Sequence, residues 1–245
     1  MSQGHRERNA DVFRQILARR TLLVSLIAYL LLLAACSGNA SLTPSASPRA
    51  RVSPTPSTPT IPAGTVLYQA DWSHGFGGWQ VTSGWKAMNG YLQSDGSNNI
   101  SITAPYRPTV PNYAVEVRIQ VMSVVKVGGF FILSADRMPG RDGYNATVSS
   151  LLTPGLTSGS LAPKLAIAID PLSSMEDYQI HDYQAGSDLR TYRIEVRGPQ
   201  ATLLINGEKN IQAFSDSTSY LSNGPIRFKC GLVILRVSNF RIIAL

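Results

Sequence analysis

The sequence predicts an all-β domain of two packed layers, placed behind an export signal and a polar tether. Apolar residues alternate with polar ones along many short segments, and Gly, Pro, Asn and Ser separate these segments. Outside the signal region, helical periodicity never extends beyond a turn or two. Many short strands joined by turn residues are typical of sandwiches and barrels.

An apolar run of fifteen residues, 21–35, follows two arginines and ends at Cys36. A membrane-spanning helix needs about 20 residues, whereas this length behind a basic segment is typical of an export signal. The closing tetrad, Leu-Ala-Ala-Cys, resembles the bacterial lipobox, whose cysteine is acylated on sulfur before cleavage. We therefore predict a helical lipoprotein signal peptide over residues 1–35, with a lipid on Cys36. The alternative is an uncleaved signal-anchor helix that extends to about residue 40.

The segment that begins at Cys36 has the composition of a disordered tether, which we predict over residues 36–63. Residues 37–63 contain six Ser, four Thr and six Pro, with no aromatic residue and no carboxylate. Such a segment cannot bury enough apolar surface to offset the entropy lost on ordering. At about 3.1 Å per residue, it would hold a domain up to roughly 80 Å from a membrane.

The net charge of +7 does not indicate a nucleic-acid partner, because most of the excess lies outside the predicted domain. Residues 1–20 carry +3, and the tether carries +2 from Arg49 and Arg51. The predicted domain, residues 64–245, has fifteen basic and thirteen acidic residues. An excess of two basic residues is too small to form the positively charged surface that polynucleotide binding requires, so no nucleic-acid binding is predicted.

Residues 64–245 are long enough to bury one sizeable core. In the segment 113–121 the odd-numbered apolar residues face one way, and the intervening polar residues face the other. The same period of two marks the segments 164–169, 192–197 and 225–230. Each is a predicted strand, and Cys230 alternates inward in the last one, so we predict a buried and inert thiol there.

A hairpin is predicted where residues 201–205 run into Asn206-Gly207. This dipeptide tolerates the two positive φ angles of a type I′ turn, so the chain reverses towards residues 209–214. Gly90 and the pair Gly128-Gly129 are weaker turn signals of the same kind.

The motifs of the domain occur in a particular order. Asp71-Trp72 is followed by Gly78-Trp79 and then by Asn89-Gly90-Tyr91-Leu92, and a Tyr-Arg-Ile-Glu-Val-Arg-Gly strand at 192–198 precedes the Asn206-Gly207 turn. This order resembles concanavalin A-like lectin/glucanase (LamG-like) jelly rolls. The resemblance implies a jelly-roll β-sandwich over residues 64–245. Its motifs specify strands and turns, and members of the family bind glycans, hydrolyse them or do neither.

Glycan binding depends on exposed aromatic rings, because sugar rings stack on the faces of Trp and Tyr. Tyr144, Tyr178 and Tyr183 lie near turn residues and are the predicted ligand-binding residues on an exposed surface. Trp79 and Tyr192, in contrast, are assigned to the core, as large aromatics of two-layer folds usually are.

Catalysis by a retaining glycosidase needs two carboxyl groups about 5 Å apart on one face. The sequence lacks the Glu-x-Asp-x-x-Glu strand of the family's glucanases, and its nearest acidic cluster, Glu176-Asp177 with Asp182, is predicted to lie in a loop. Glu116 and Glu195 alternate with arginines, as in ordinary cross-strand pairing. We therefore predict no catalytic residues. The alternative is an envelope glycoside hydrolase resembling the 3-keto-disaccharide hydrolase domain of the same fold.

Metal ligands are sparse in this sequence. His74 and His181 have no second His, Cys or spaced acid nearby, so no zinc site is predicted. Asp71 is a candidate ligand for a structural calcium ion, which some jelly rolls hold near the meeting of their first and last strands. No other cofactor is predicted.

These expectations together describe a lipid-anchored protein on the extracytoplasmic face of the cell membrane. A lipid on Cys36 would attach the protein to the membrane. Its non-catalytic sandwich would bind carbohydrate or another component of the cell envelope.

Overall fold

The computed structural model describes residues 61–152, 162–170 and 177–245. They belong to a compact unit that runs from Thr58 to Leu245. The predicted signal peptide, Cys36 and nearly all of the predicted tether lie outside the described residues. Every regular element in the described ranges is a strand, and these ranges contain no helix of a length and hydrophobicity that would cross a membrane.

Fifteen strands make up the described part of the chain. In chain order they are β1 (Val66–Gln69), β2 (Gln80–Val81), β3 (Trp85–Met88), β4 (Tyr91–Ser94), β5 (Ile100–Thr103), β6 (Tyr113–Val124), β7 (Gly129–Ala135), β8 (Tyr144–Leu151), β9 (Lys164–Ile169), β10 (Asp177–Asp182), β11 (Arg190–Arg197), β12 (Gln200–Ile205), β13 (Glu208–Phe214), β14 (Ile226–Gly231) and β15 (Val233–Ala244).

The strands form two antiparallel sheets that confirm the predicted two-layer all-β fold. The eight-stranded sheet has the order β13-β12-β11-β6-β15-β4-β3, with β1 paired to β15. The seven-stranded sheet has the order β10-β9-β8-β7-β14-β5-β2. Many neighbouring strands are therefore distant in sequence, so their pairing depends on long-range contacts.

The core lies between the sheets, where the inward residues of both meet. Rings from opposite sheets pack edge to face: Phe131 against Tyr192 with centroids 5.2 Å apart, and Trp85 against Phe228 at 5.8 Å. The predicted burial of Tyr192 is confirmed, since it is 4% exposed. The alternation read from the sequence therefore assigned the inner and outer faces correctly on β6, β11 and β14. On β9 the predicted inward residues belong to the core, but the outward Ala166 and Ala168 are buried too.

A second aromatic cluster closes the sandwich beside β1 and β15. Trp79 packs edge to face against Trp72 at 5.5 Å and against Phe240 at 4.8 Å. Its indole Nε1 donates a hydrogen bond of 2.9 Å to the hydroxyl of Tyr68. The prediction that Trp79 belongs to the core is confirmed.

Two of the predicted hairpin turns are present, whereas Gly128-Gly129 joins β6 to β7, which lie in different sheets and form no hairpin. Asn206 and Gly207 have φ angles of 53° and 86°, so both central residues between β12 and β13 are left-handed, as a type I′ turn requires. Asn89 and Gly90, with φ of 44° and 86°, make the same kind of turn between β3 and β4. Asn and Gly are the residues that adopt this conformation at low cost.

Candidate functional site

The outward residues of the seven-stranded sheet lie on one side of the sandwich, which we call the seven-stranded face. The strand register aligns one row of side chains across all seven strands. From one edge to the other, this row consists of Gln80, Thr103, Arg227, Ser134, Asn145, Ala168 and Tyr178. A predicted sugar-stacking tyrosine thus shares a row with amide, hydroxyl and guanidinium groups.

Two depressions lie in the seven-stranded face, with Arg227 and Lys229 of β14 on the wall between them. The larger has a volume of about 370 Å³ and is lined mainly by polar groups, including Gln80, Ser101 and Thr103. The smaller, of about 170 Å³, lies towards β7 and β8 and includes Asn145 in its lining. Polar groups converging on an open depression are what a hydrophilic ligand needs for orientation.

Of the two cations of β14, one is paired with a carboxylate and the other is not. The Arg227 guanidinium is 2.5 Å from a carboxylate oxygen of Asp136, which holds it at one end of the face. Lys229 forms no ion pair within the described ranges. Its register partners are Ser101 on β5 and Ile132 on β7, and it lines both depressions, so its amino group is available to a ligand there.

Tyr178 is the predicted site residue that the structure presents to solvent. It lies on the edge strand β10 with 44% of its surface exposed, and its neighbour in the row is the small Ala168. Ile180, two residues along the same strand, is 48% exposed. Ala168 itself is buried, so the exposed surface at this end of the row is the ring of Tyr178, and an exposed ring suits stacking against a planar or sugar-ring surface.

The prediction that Tyr144 lies on an exposed surface is wrong. Tyr144 is 1% exposed, because it begins β8 on the inward side of the alternation that continues through Ala146 and Val148. Its hydroxyl lies 3.0 Å from that of Tyr113, another core residue. Burial raises the pKa of Tyr144 well above its usual value. The residue supports the sandwich and presents no ring face to a ligand.

Tyr183 is half-buried and held by protein groups. Its hydroxyl is 3.0 Å from the hydroxyl of Tyr192 and accepts a 3.0 Å hydrogen bond from Nη1 of Arg190. Its ring packs against the core beyond the end of β10, outside the row that contains Tyr178. The structure therefore does not bring the three predicted tyrosines together at one site.

The acidic cluster does not lie in a loop as predicted, because Asp177 and Asp182 are the two ends of β10. Asp177 points away from the seven-stranded face and accepts a 2.9 Å hydrogen bond from the backbone amide of Phe214, on the edge strand of the other sheet. Asp182 pairs with Lys164. Glu176 lies outside the described residues. The described acids of this cluster join strands, which is a structural role.

The outer side of the other sheet carries the predicted ion pairs. Glu116 pairs with Arg241 and with Arg193, the latter at 3.2 Å, and Arg193 also contacts Glu195 at 2.9 Å. Burial raises the pKa of Glu116, but the hydrogen bonds and charges of its two arginines outweigh burial and lower the pKa below its usual value. The prediction of ordinary cross-strand pairing is confirmed.

Cys230 is fully buried, as predicted, and forms no disulfide. Burial raises the pKa of its thiol to about 12, which keeps it protonated and unreactive. No group of three or more His, Cys, Asp or Glu residues in the described ranges could hold a metal ion. Asp71 accepts hydrogen bonds from the backbone and hydroxyl of Ser73, and its role as a calcium ligand stays a prediction.

Sequence reasoning missed the two cations of β14. Their strand was recognised from its alternation, and Arg227 and Lys229 are the polar residues between the inward Ile226, Phe228 and Cys230. Two cations on the outer face of a central strand are a detectable signal, since such positions favour β-branched and aromatic residues.

No protein-family model and no curated protein matches this sequence. Solved structures share its fold. The carbohydrate-binding module CBM66 from Bacillus subtilis matches with a TM-score of 0.50 and 12% identity, over 68% of this chain and 96% of that one. A glycosyl hydrolase family 16 protein from Mycobacterium smegmatis matches with a TM-score of 0.53 and 6% identity, over 73% and 100%.

The exoplasmic/lumenal domain of VIP36 in its Ca²⁺-bound form also matches, with a TM-score of 0.50 and 10% identity, over 71% of this chain and 86% of that one. At such identities the likeness is one of fold. The sandwich described above is a concanavalin A-like jelly roll, which confirms the predicted fold class.

Proposed function

We propose that this protein is a lipid-anchored carbohydrate-binding protein of the cell envelope, and that the seven-stranded face binds the carbohydrate. The observation that carries the proposal is the register row that places the exposed Tyr178 on the same side of the sandwich as Asn145, Ser134, Arg227 and Thr103. A ring for stacking and a set of hydroxyl, amide and cationic groups match the two faces of a sugar, one apolar and one polar.

The fold supports a saccharide ligand without specifying one. CBM66 is by its name a carbohydrate-binding module, and the mycobacterial protein is by its name a glycosyl hydrolase. A shared fold hosts unrelated functions, so these likenesses raise the expectation of a glycan and do not identify it.

We propose binding in preference to hydrolysis. Among the described residues, the carboxylates that line the smaller depression are each paired with an arginine: Asp136 with Arg227, and Asp170 with Arg137 at 3.5 Å. Asp182, at the end of β10, is paired with Lys164. A retaining mechanism needs two carboxyl groups about 5 Å apart, one as nucleophile and one as acid, and both carboxylates of this depression are already engaged by arginines.

Binding is tested with residues 58–245 on a glycan array, followed by titration of any ligand found. Tyr178→Ala should weaken the affinity about fivefold, the value of roughly 1 kcal/mol for a lost aromatic contact. Tyr220→Ala is the matched control, because Tyr220 has a similar exposure of 45% and lies in the loop between β13 and β14. Equal affinities for Tyr178→Ala and the wild type would contradict the assignment of the site.

Turnover is tested on the same protein with chromogenic glycosides. We expect no product. Hydrolysis that disappears on replacing a single carboxylate would contradict the non-catalytic assignment, because loss of a general acid or nucleophile costs orders of magnitude in rate.

The anchoring is tested in cells that produce the full chain. Growth with labelled palmitate should label the wild-type protein, and Cys36→Ser should abolish the label and leave uncleaved precursor, because sulfur is the acceptor of the diacylglyceryl group. Label that persists in Cys36→Ser would show that Cys36 is not the anchor.

A further inference from the structure

The outward residues of the eight-stranded sheet, which we call the eight-stranded face, carry an unusual excess of cations. Lys86 and Arg236 lie in one cross-strand row, separated by a glutamine. Arg118 lies in the next row. In the third row, Arg193 and Arg241 lie on either side of a glutamate. Adjacent strands are about 4.8 Å apart, so five cations share one compact surface.

Two further cations extend this surface, Arg197 at the end of β11 and Lys209 opposite an outward residue of β12. Glu116 and Glu195 are the acids among the outward strand residues of this sheet. The eight-stranded face therefore has seven basic and two acidic residues. Residues 64–245 as a whole have fifteen and thirteen, which leaves eight basic and eleven acidic residues elsewhere. The domain is thus polarised, with a cationic face and an anionic remainder.

The ion pairs of this face do not neutralise it. Both glutamates are shared among Arg193, Arg197 and Arg241. Arg236 lies over the ring of Tyr91, with its guanidinium carbon 4.4 Å from the centroid. Arg118 is exposed and has no carboxylate partner in the described part of the chain. A surface of this kind attracts anions over about a Debye length.

The point at which the described chain enters the domain, together with the proposed lipid on Cys36, favours a membrane as this anionic surface. The described chain enters the domain on the same sheet, since Gly64 donates a 2.8 Å backbone hydrogen bond to Ala244 and β1 pairs with β15. Twenty-seven residues separate Cys36 from Gly64. The proposed anchor therefore leads to the cationic sheet.

We propose that the eight-stranded face binds the surface of an anionic phospholipid bilayer. Juxtamembrane lysines and arginines each contribute to such binding, and a broad face with spread cations fits the flat array of headgroups. In this orientation the seven-stranded face points away from the membrane, so that its depressions are open to a ligand. The orientation rests on the proposed anchoring, whereas the affinity for the bilayer does not.

The test uses residues 58–245, which contain every described strand and lack the anchor. The protein is floated with vesicles of phosphatidylcholine alone and of phosphatidylcholine mixed with phosphatidylglycerol. We expect binding to the anionic vesicles, a decrease of that binding as salt is raised, and none to the neutral vesicles.

The variant Lys86→Gln/Arg118→Gln removes two exposed cations of this face. We expect about 25-fold weaker partitioning to anionic vesicles, since each cation contributes about fivefold. The control Arg107→Gln/Lys126→Gln makes the same change of net charge in loops outside the sheet, and it should bind like the wild type. Circular dichroism shows whether both variants keep the wild-type fold.

Three outcomes would overturn the proposal. They are equal binding to neutral and anionic vesicles, an equal loss in the control and the Lys86/Arg118 variant, and binding of the face to an acidic polysaccharide or DNA in place of the vesicles. The proposed function is tested separately, because the Lys86/Arg118 variant should keep any glycan affinity and Tyr178→Ala should keep vesicle binding. Glycan affinity that falls with the Lys86/Arg118 pair and not with Tyr178 would place the glycan on the eight-stranded face and refute the assignment of the seven-stranded face, whereas the flotation result decides membrane binding.

Discussion

The buried hydroxyl pair of Tyr113 and Tyr144 offers a test that separates a structural from a ligand-binding role for Tyr144. The hydroxyl of Tyr113 donates to the carbonyl oxygen of Ser222 and also lies 3.0 Å from the hydroxyl of Tyr144. A phenol has one proton, so the second bond must be donated by Tyr144 to Tyr113. All three residues are buried, which excludes replacement of these bonds by bulk water.

The direction of these bonds makes the two tyrosines unequal. Tyr144→Phe removes one buried hydrogen bond and leaves Tyr113 paired with Ser222, so the free energy of unfolding should fall by about 1 kcal/mol. Tyr113→Phe deprives both the Ser222 carbonyl and the Tyr144 hydroxyl of this partner. At about 1–3 kcal/mol for each of the two buried groups, the loss should be about 2–6 kcal/mol. The double variant removes the orphaned hydroxyl and should be more stable than Tyr113→Phe.

Urea unfolding of residues 58–245 measures these differences, with an unchanged slope as the sign that the two states are the same in each variant. A loss for Tyr144→Phe as large as that for Tyr113→Phe would refute the direction assigned to the bonds. Loss of ligand affinity in Tyr144→Phe at undiminished stability would place the residue in the binding site, against the structural role given above.

Because the pKa of Glu116 is lowered, its contribution to stability is present above its unfolded value of about 4.3 and is lost as the pH falls through the folded value. The stabilities of the wild type and Glu116→Gln, measured by urea unfolding across pH, should differ at pH 7 and converge below about pH 4; a constant difference would contradict this. Asp177→Ala, which removes the bond to the opposite edge strand, should cost about 1 kcal/mol in the same assay. Asp182→Ala, which breaks an exposed pair, should cost under about 0.5 kcal/mol, and equal losses would mean that the contact between the sheet edges contributes nothing. Ile194→Asp puts a carboxylate at a fully buried position and should cost several kcal/mol, in contrast to the outward Thr191→Asp; similar losses would show that the inner and outer faces of β11 are misassigned.

Burial on each strand could be predicted from the sequence wherever the alternation was clear. The period of two is a local property of extended backbone, so Ile194 and Cys230 could be placed in the core without knowledge of any neighbouring strand. The turns at Asn89-Gly90 and Asn206-Gly207 were equally local, because they depend on the backbone preferences of two residues.

Local patterns failed where a strand has no alternation or begins at a turn. The segment Asp177–Asp182 reads as polar loop, and it is a strand because it pairs with β9 at the sheet edge, where both sides of a strand tolerate polar residues. Tyr144 follows a glycine, a context that is typical of a loop. A shift of one position decides between core and solvent, and the pairing of β8 with its neighbours set that register.

The candidate sites were decided by the tertiary structure, because lateral neighbours depend on strand order. Tyr178 and Arg227 are far apart in the chain, and only the order β10-β9-β8-β7-β14 brings them into one row. The same holds for the cations of the eight-stranded face, where β15 brings Arg236 and Arg241 beside Arg118 of β6. Composition and periodicity along a chain determine which side chains point outward from each strand. Which of those side chains share a surface depends on long-range pairing, and no local pattern encodes it.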